Sequence, residues 1–148
     1  MAITLVTGGA LTGTAINGAN VTITLPTLAE NDVVYVFGGH SRPSADVGVS
    51  TAGYTELLDT TNSTLNRAST SRKKMGASPD TEVVCLGSGN VADAAGYAVF
   101  CVRGVDTTTQ EDATTIAATA SAAVNPNPGS IVTVTDGAWV LAFADSTI

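Results

Sequence analysis

The sequence predicts an all-β fold, a β-sandwich of jelly-roll or immunoglobulin-like type with roughly 8–10 strands. Threonine is unusually abundant, with 23 of 148 residues, and its branched Cβ favours strands over helices. Charged residues make up 13 % of the chain, against roughly 25 % in an average soluble protein. Short apolar stretches alternate with turn residues, and no stretch has the periodicity of an amphipathic helix. The length fits a single domain that spans residues 1–148.

The first predicted strands alternate apolar residues with threonine. Ile3-Thr4-Leu5 and Val21–Leu25 have this period of two, which is typical of a strand with one buried face. The glycine-rich stretch 8–14 between them predicts a loop or a distorted edge. Val33–Phe37 is a continuous apolar run that Gly38-Gly39 end, so we expect a central strand there.

The middle of the chain alternates loops and extended segments. Ser41–Gly53 contains a proline and two glycines and predicts a long loop, after which Tyr54–Leu58 resumes an extended segment. Leu65–Met75 carries four of the six basic residues and predicts a solvent-facing strand. Thr81–Leu86 and Tyr97–Val102 follow as two further strands, the second apolar throughout.

The last part of the chain predicts more strands. Asp112–Val124 is rich in alanine, but its threonine pairs favour an extended strand over a helix. Asn125–Gly129 holds two prolines and interrupts it. Ile131–Thr135 and Ala138–Phe143 are separated by Asp136-Gly137. This spacing predicts a hairpin with a type I′ turn.

The charge and the apolar pattern exclude several classes of function. A net charge of −7 repels nucleic-acid phosphates, so we expect no nucleic-acid partner. No apolar run approaches the ~20 residues that span a bilayer, and the N-terminus lacks a basic leader, so we expect neither a membrane segment nor secretion through this N-terminus. No phosphate-binding glycine motif or nucleophile motif is present, so we expect no cofactor.

The candidate catalytic and metal-binding residues are few. His40 is the only histidine and follows two glycines, and we expect an ordinary loop residue there, with catalysis as the minor alternative. Asp106, Glu111 and Asp112 carry oxygens suited to Ca²⁺, but their spacing fits no defined calcium loop. The sequence therefore predicts no catalytic, cofactor-binding or metal-binding residue, and a protein that is not an enzyme.

The two cysteines allow two interpretations. Cys85 and Cys101 are equally far from Asp93, so a symmetric hairpin would place them opposite each other and permit a disulfide. Because nothing indicates secretion, buried reduced thiols are the favoured prediction.

Candidate contact residues come from strands that are apolar on both faces. The outer faces of Val33–Phe37, Tyr97–Val102 and Trp139–Phe143 need a cover, supplied either by loops of the same domain or by a partner subunit. The basic residues are either a solvated strand face or a docking patch for an acidic surface, including that of an identical subunit. The predicted subunit-contact residues are Tyr35, Phe37, Trp139, Phe143, Arg67, Arg72, Lys73 and Lys74.

Five short motifs from Asp32 onward resemble, in their order, a group of β-sandwich virion proteins of tailed bacteriophages and prophages. The motifs are Gly53–Leu57, Lys74–Gly76, Pro79–Thr81, Arg103–Asp106 and Asn125–Pro128. The resemblance implies a structural component of the virion, either a capsid decoration protein or a tail or fibre module. It further implies contacts with other virion proteins, such as the major capsid or tail protein, whereas the strands that are apolar on both faces predict a homo-oligomer.

A different class of function is also open at this point. A module that binds a host-surface glycan or protein would use loops such as Ser41–Gly53 as its contact surface. Independently, Asp32–Phe37 and Asp136–Leu141 look faintly like one motif used twice, which is a weak sign of internal repetition.

Overall fold

The structure is a computed structural model that describes residues 2–42, 44–62, 66–116 and 130–143. All regular elements in these residues are strands. They are β1 (Thr4–Ala15), β2 (Val21–Thr24), β3 (Val33–His40), β4 (Thr55–Asn62), β5 (Asn66–Lys74), β6 (Glu82–Cys85) and β7 (Ala95–Arg103). Within the same residues, no helix has the length and apolar character needed to cross a membrane.

The strands form two antiparallel sheets that pack face to face. The larger sheet has the order β1-β7-β3-β5-β4, and the smaller sheet pairs β2 with β6. The loop between β3 and β4 also touches the small sheet, because Val49 forms an isolated bridge with Cys85. The predicted all-β sandwich is confirmed, with seven strands in the described residues where roughly 8–10 were expected.

The main core lies between the two sheets. Its side chains come from alternate positions, as the period of two predicts. β3 and β7 of the large sheet contribute Val34, Val36, Val99 and Cys101, while β2 and β6 contribute Val21, Ile23, Val83 and Cys85. None of these eight residues is more than 5 % exposed.

The cysteines are free thiols buried in this core. Burial raises the pKa of both thiols to about 12, so they remain protonated and unreactive at neutral pH. The predicted reduced state is confirmed. The symmetric hairpin is wrong, because β6 pairs with β2 while β7 pairs with β1 and β3 in the other sheet.

The paired glycines do not end β3, which continues to His40. Gly38 is the register partner of Tyr97 on β7, and a Cβ added to Gly38 would lie 2.0 Å from the Tyr97 ring. The absent side chain makes room for the ring, and the two strands stay paired. The glycine-rich stretch 8–14 is likewise part of strand β1, whose register shifts between Leu5 and Ala10, so the distorted edge is confirmed and the loop is not.

β5 is a strand as predicted, but it does not face solvent. It lies between β3 and β4, and Ser69, Thr70 and Ser71 in its middle are buried. The basic residues on either side of this stretch suggested a solvent-facing strand, but acidic side chains of the same chain neutralise most of them.

The predicted hairpin of Ile131–Phe143 is wrong, because none of its residues belongs to a strand. The turn itself is present: the Ala138 N–H donates to the Thr135 carbonyl at 3.3 Å, and Gly137 has φ +82°. Asp136 does not share the positive φ, so the turn resembles type II and not type I′. Residues 112–116 are also outside any strand, and the rest of the strand predicted for Asp112–Val124 lies outside the described residues.

Candidate functional site

The outer face of the large sheet is apolar. Val33, Tyr35 and Phe37 of β3 form a second buried cluster with Val102 of β7. The Phe37 ring meets the Phe100 ring edge to face, with centroids 5.9 Å apart. A sheet face of this kind needs a cover that keeps water away from it.

Residues after β7 provide part of this cover. The Tyr35 hydroxyl donates to the Gln110 carbonyl at 3.2 Å and also lies 3.5 Å from the Glu111 carboxylate. Burial, followed by the negative charge of Glu111, raises the pKa of Tyr35 to about 12. Val105 packs against the same cluster. Of the two covers predicted, loops of the same domain therefore account for this part of the face.

A second piece of cover is residues 130–143, called segment 130–143. Leu141 packs against the outer cluster, and the Phe143 ring lies with its centroid 6.1 Å from that of Phe37. The Asp112 carboxylate accepts hydrogen bonds from the N–H groups of Val134 at 2.6 Å and Thr135 at 3.1 Å, and from the Thr135 hydroxyl at 2.5 Å. One carboxylate and two apolar side chains thus attach the segment.

Most apolar side chains of segment 130–143 face solvent. Val132 is 76 % exposed, Val134 84 %, Val140 65 % and Trp139 48 %. Isolated exposed apolar residues are ordinary on protein surfaces, but a run of them in one short segment is typical of a contact surface. This segment and the face beneath it are the candidate functional site.

The structure brings three of the four predicted aromatic contact residues together. Tyr35 and Phe37 are buried on the outer face, and Phe143 packs on Phe37. Trp139 lies in the same segment and is half-exposed. Whether they contact a second subunit stays a prediction.

The four basic residues do not form one patch. Strand register places Arg72 and Lys74 opposite the outward-facing Tyr35 and Val33, whereas Arg67 and Lys73 point to the opposite face. Each has a partner within the chain. The Arg67 Nε lies 2.8 Å from Oδ1 of Asp59, and its Nη1 lies 3.1 Å from Oδ1 of Asp46. Arg72 forms an ion pair with Glu111, and Lys73 forms one with Asp80 at 2.7 Å. Lys74 donates a hydrogen bond to the Thr107 carbonyl at 2.7 Å.

A polar cavity lies on the inner side of the large sheet, beneath the predicted binding loop. It has a volume of about 320 Å³, opens to solvent, and lies between the loop around Asp46 and the inner faces of β4 and β5. Its polar lining is Asp46, Glu56, Asp59, Arg67 and Ser71. The sequence analysis missed this cavity, because a register shift between Glu56 and Leu58 of β4 brings Glu56 and Asp59 to the same face without any alternating pattern in the sequence.

The charge in the cavity is unbalanced. Arg67 is shared by Asp59 and Asp46, and no described residue forms an ion pair with Glu56. Partial burial raises the pKa of the Glu56 carboxyl, and the charge of Asp59 raises it further, against the opposing charge of Arg67. The cavity can therefore accept hydrogen bonds from hydroxyl groups or from a cation.

His40 is a structural residue in this fold. It is 2 % exposed, its Nε2 lies 2.8 Å from the Asp46 carbonyl, and its Nδ1 accepts the Arg42 N–H at 3.3 Å. Main-chain groups thus occupy both ring nitrogens in the neutral tautomer with the proton on Nε2. The expectation of an ordinary loop residue needs one correction: His40 is buried at the end of a strand.

The acidic residues considered for Ca²⁺ have separate tasks. Asp106 accepts the N–H groups of Thr108 and Thr109, both at 2.7 Å, while Glu111 pairs with Arg72 and Asp112 holds segment 130–143. Across the described ranges, no group of three or more His, Cys, Asp or Glu residues is arranged to hold a metal ion.

Fold and surface together define the chain as an all-β sandwich whose most unusual feature is an exposed apolar segment. Comparison with protein-family models, with curated proteins and with solved structures finds no match.

Proposed function

We propose that the chain is a non-enzymatic structural protein of a tailed-phage virion, located in the particle as a capsid decoration protein or a tail or fibre component. The observation that carries the proposal is the exposure of Val132, Val134, Trp139 and Val140 in one segment. A subunit that is buried among neighbours in a particle loses this exposed apolar area on assembly. The short motifs that resemble phage virion proteins are the reason for proposing that this assembly is a virion.

The mechanism is mass action. A subunit that binds the assembled particle and not its dissociated parts stabilises the assembled state. The major capsid or tail protein is the expected partner, together with other copies of the chain. Neither role requires a reactive group, a metal or a cofactor.

Adding the chain back to particles tests the proposal. Particles from a phage with the gene deleted are mixed with the purified chain and sedimented. We expect the chain to co-sediment, and the double variant Val134→Ser/Val140→Ser to bind about tenfold or more weakly, since each substitution removes apolar burial. Val91→Ser is the matched control, because Val91 is 77 % exposed but lies outside the segment. Failure of the unaltered chain to bind, or equal binding by the double variant, would contradict the proposal.

Binding of a host-surface glycan is the second candidate, and the polar cavity favours it. Carboxylates such as Glu56 and Asp46 accept hydrogen bonds from sugar hydroxyls. Calorimetric titration with soluble host-surface glycans tests the idea. We expect Glu56→Gln to weaken binding and Glu82→Gln, which alters an exposed carboxylate at the start of β6, to leave it unchanged. The absence of binding by the unaltered chain would eliminate this candidate.

A further inference from the structure

Segment 130–143 has the sequence of two strands but the structure of none. Val132–Thr135 alternates apolar residues with threonine as β2 does, and β2 buries its apolar residues and exposes its threonines. Trp139–Phe143 follows a left-handed residue, Gly137 with φ +82°, as β3 follows Asn31 with φ +69°. The segment therefore has the local features of two elements that are paired strands elsewhere in the same chain.

The segment lacks the hydrogen bonds that strands need. Three of its N–H groups have partners among the described residues: Val134 and Thr135 donate to Asp112, and Ala138 donates to the turn carbonyl of Thr135. None of its residues takes part in a strand ladder or an isolated bridge. A segment of this kind offers unpaired main-chain donors and acceptors, which is the property that makes an exposed strand edge pair with another chain.

The second copy of this chain is the occupant that fits best. Antiparallel pairing about a twofold axis brings the same stretch of main chain together from both copies, and an unpaired stretch offers both the donors and the acceptors for it. Asp136 is its only charged residue and lies in the turn. Two copies can therefore bring their segments together with little of the repulsion that a net charge of −7 would otherwise cause.

We propose that Trp139–Phe143, the part of segment 130–143 after its turn, pairs as an antiparallel β-strand with the same part of a second copy, and that this pairing is the contact between subunits. The inference rests on the proposed function in that the same segment makes the contact, and it adds the partner and the mode of binding. Leu141 and Phe143 keep each segment on the outer face of its own sheet. The paired strands then form a layer above the two large sheets.

Sedimentation equilibrium up to about 1 mM protein, with amide hydrogen exchange at the lowest and highest concentrations, tests this pairing. We expect dimers to form with increasing concentration and exchange to slow in residues 139–143. Val140→Pro removes a main-chain donor from each copy, so we expect the association constant to fall about tenfold or more. Val140→Thr keeps the N–H and the branched Cβ, and its effect should be about threefold or less.

Val140 is 65 % exposed and outside every strand, so both variants should keep the thermal unfolding midpoint of the dilute unaltered chain. A chain that stays monomeric throughout, or dimers that Val140→Pro leaves unchanged, would overturn the inference. The proposed function is tested separately. If the chain forms dimers but is absent from particles, only the proposed function is refuted. If the chain is bound to particles but its segment never pairs with a second copy, only the present inference is refuted.

Discussion

Asp32 is a buried charge that the fold neutralises. It is 1 % exposed, and its carboxylate accepts the Ala29 N–H at 2.7 Å and both Nε and an Nη of Arg103 at 2.7 and 2.6 Å. Burial alone would raise the pKa of this carboxyl. The hydrogen bonds from Arg103 and Ala29 outweigh burial and hold the pKa below its usual value.

This lowered pKa predicts a loss of stability in acid. The ionised carboxylate contributes its full stabilisation above the unfolded-state pKa of about 3.9, and that contribution is lost as the pH falls through the lower folded-state value. We expect Asp32→Asn to lower the free energy of unfolding by about 2 kcal/mol at pH 7. Urea titrations from pH 7 to pH 2 should show a smaller acid loss for this variant than for the unaltered chain and for Glu30→Gln. An equal acid loss in Asp32→Asn would contradict the assignment.

Tyr54 is the opposite case, a partly buried residue whose buried hydroxyl lacks a partner among the described residues. Its hydroxyl oxygen has no hydrogen bond to any described residue, and burial raises its pKa. We expect Tyr54→Phe to raise the free energy of unfolding by about 1 kcal/mol, because it removes an unsatisfied donor and keeps the ring. Tyr35→Phe is the matched control and should lower it by about 1 kcal/mol, since it deletes a hydrogen bond. Chemical denaturation measures both, and a destabilised Tyr54→Phe would contradict the structure.

Among the elements, the pairing of β3 with β7 depends on a glycine. A Cβ at Gly38 would lie 2.0 Å from the Tyr97 ring, whereas one at Gly96, in the neighbouring strand, would meet nothing within 4 Å. We expect Gly38→Ala to lower the free energy of unfolding by about 3 kcal/mol and Gly96→Ala to change it by less than about 1 kcal/mol. Thermal or urea unfolding separates the two. Similar values for both would show that Tyr97 does not pack on Gly38.

The strands that could be predicted are those with a strong local signal. The alternation of β2 and the apolar runs of β3 and β7 indicate strands from the local sequence alone, whatever their neighbours in the sheet. The hairpin at Ile131–Phe143 has an equally strong signal and forms no strand in the single chain. A strand is defined by its neighbour, and local sequence does not say whether that neighbour belongs to the same chain.

The candidate site could be predicted in part for the same reason. Residues that are apolar on both faces of β3 correctly indicated that Tyr35 and Phe37 would need a cover. The polar cavity could not be placed, because it depends on which strands become neighbours of β5. The basic residues suggested a docking patch, because the sequence does not show which carboxylates from other loops will pair with them in the fold.

For the molecule as a whole, the acidic character comes from 13 acidic residues against six basic ones. Five of the six basic residues pair with acidic side chains within the chain, and Lys74 donates to a main-chain carbonyl. Carboxylates without such partners, including Glu56, therefore determine the sign of the surface. A net charge of −7 keeps molecules apart, and the proposed association uses segment 130–143, in which Asp136 is the one charged residue.

The most direct test of the central claim is the copy number of this chain in purified phage particles. Quantitative mass spectrometry, normalised to the major capsid protein, measures it. A structural subunit should be present in many copies: comparable to the capsid protein if it decorates the shell, and far fewer if it belongs to the tail or fibres. Absence of the chain from particles would contradict the claim that it is a virion protein.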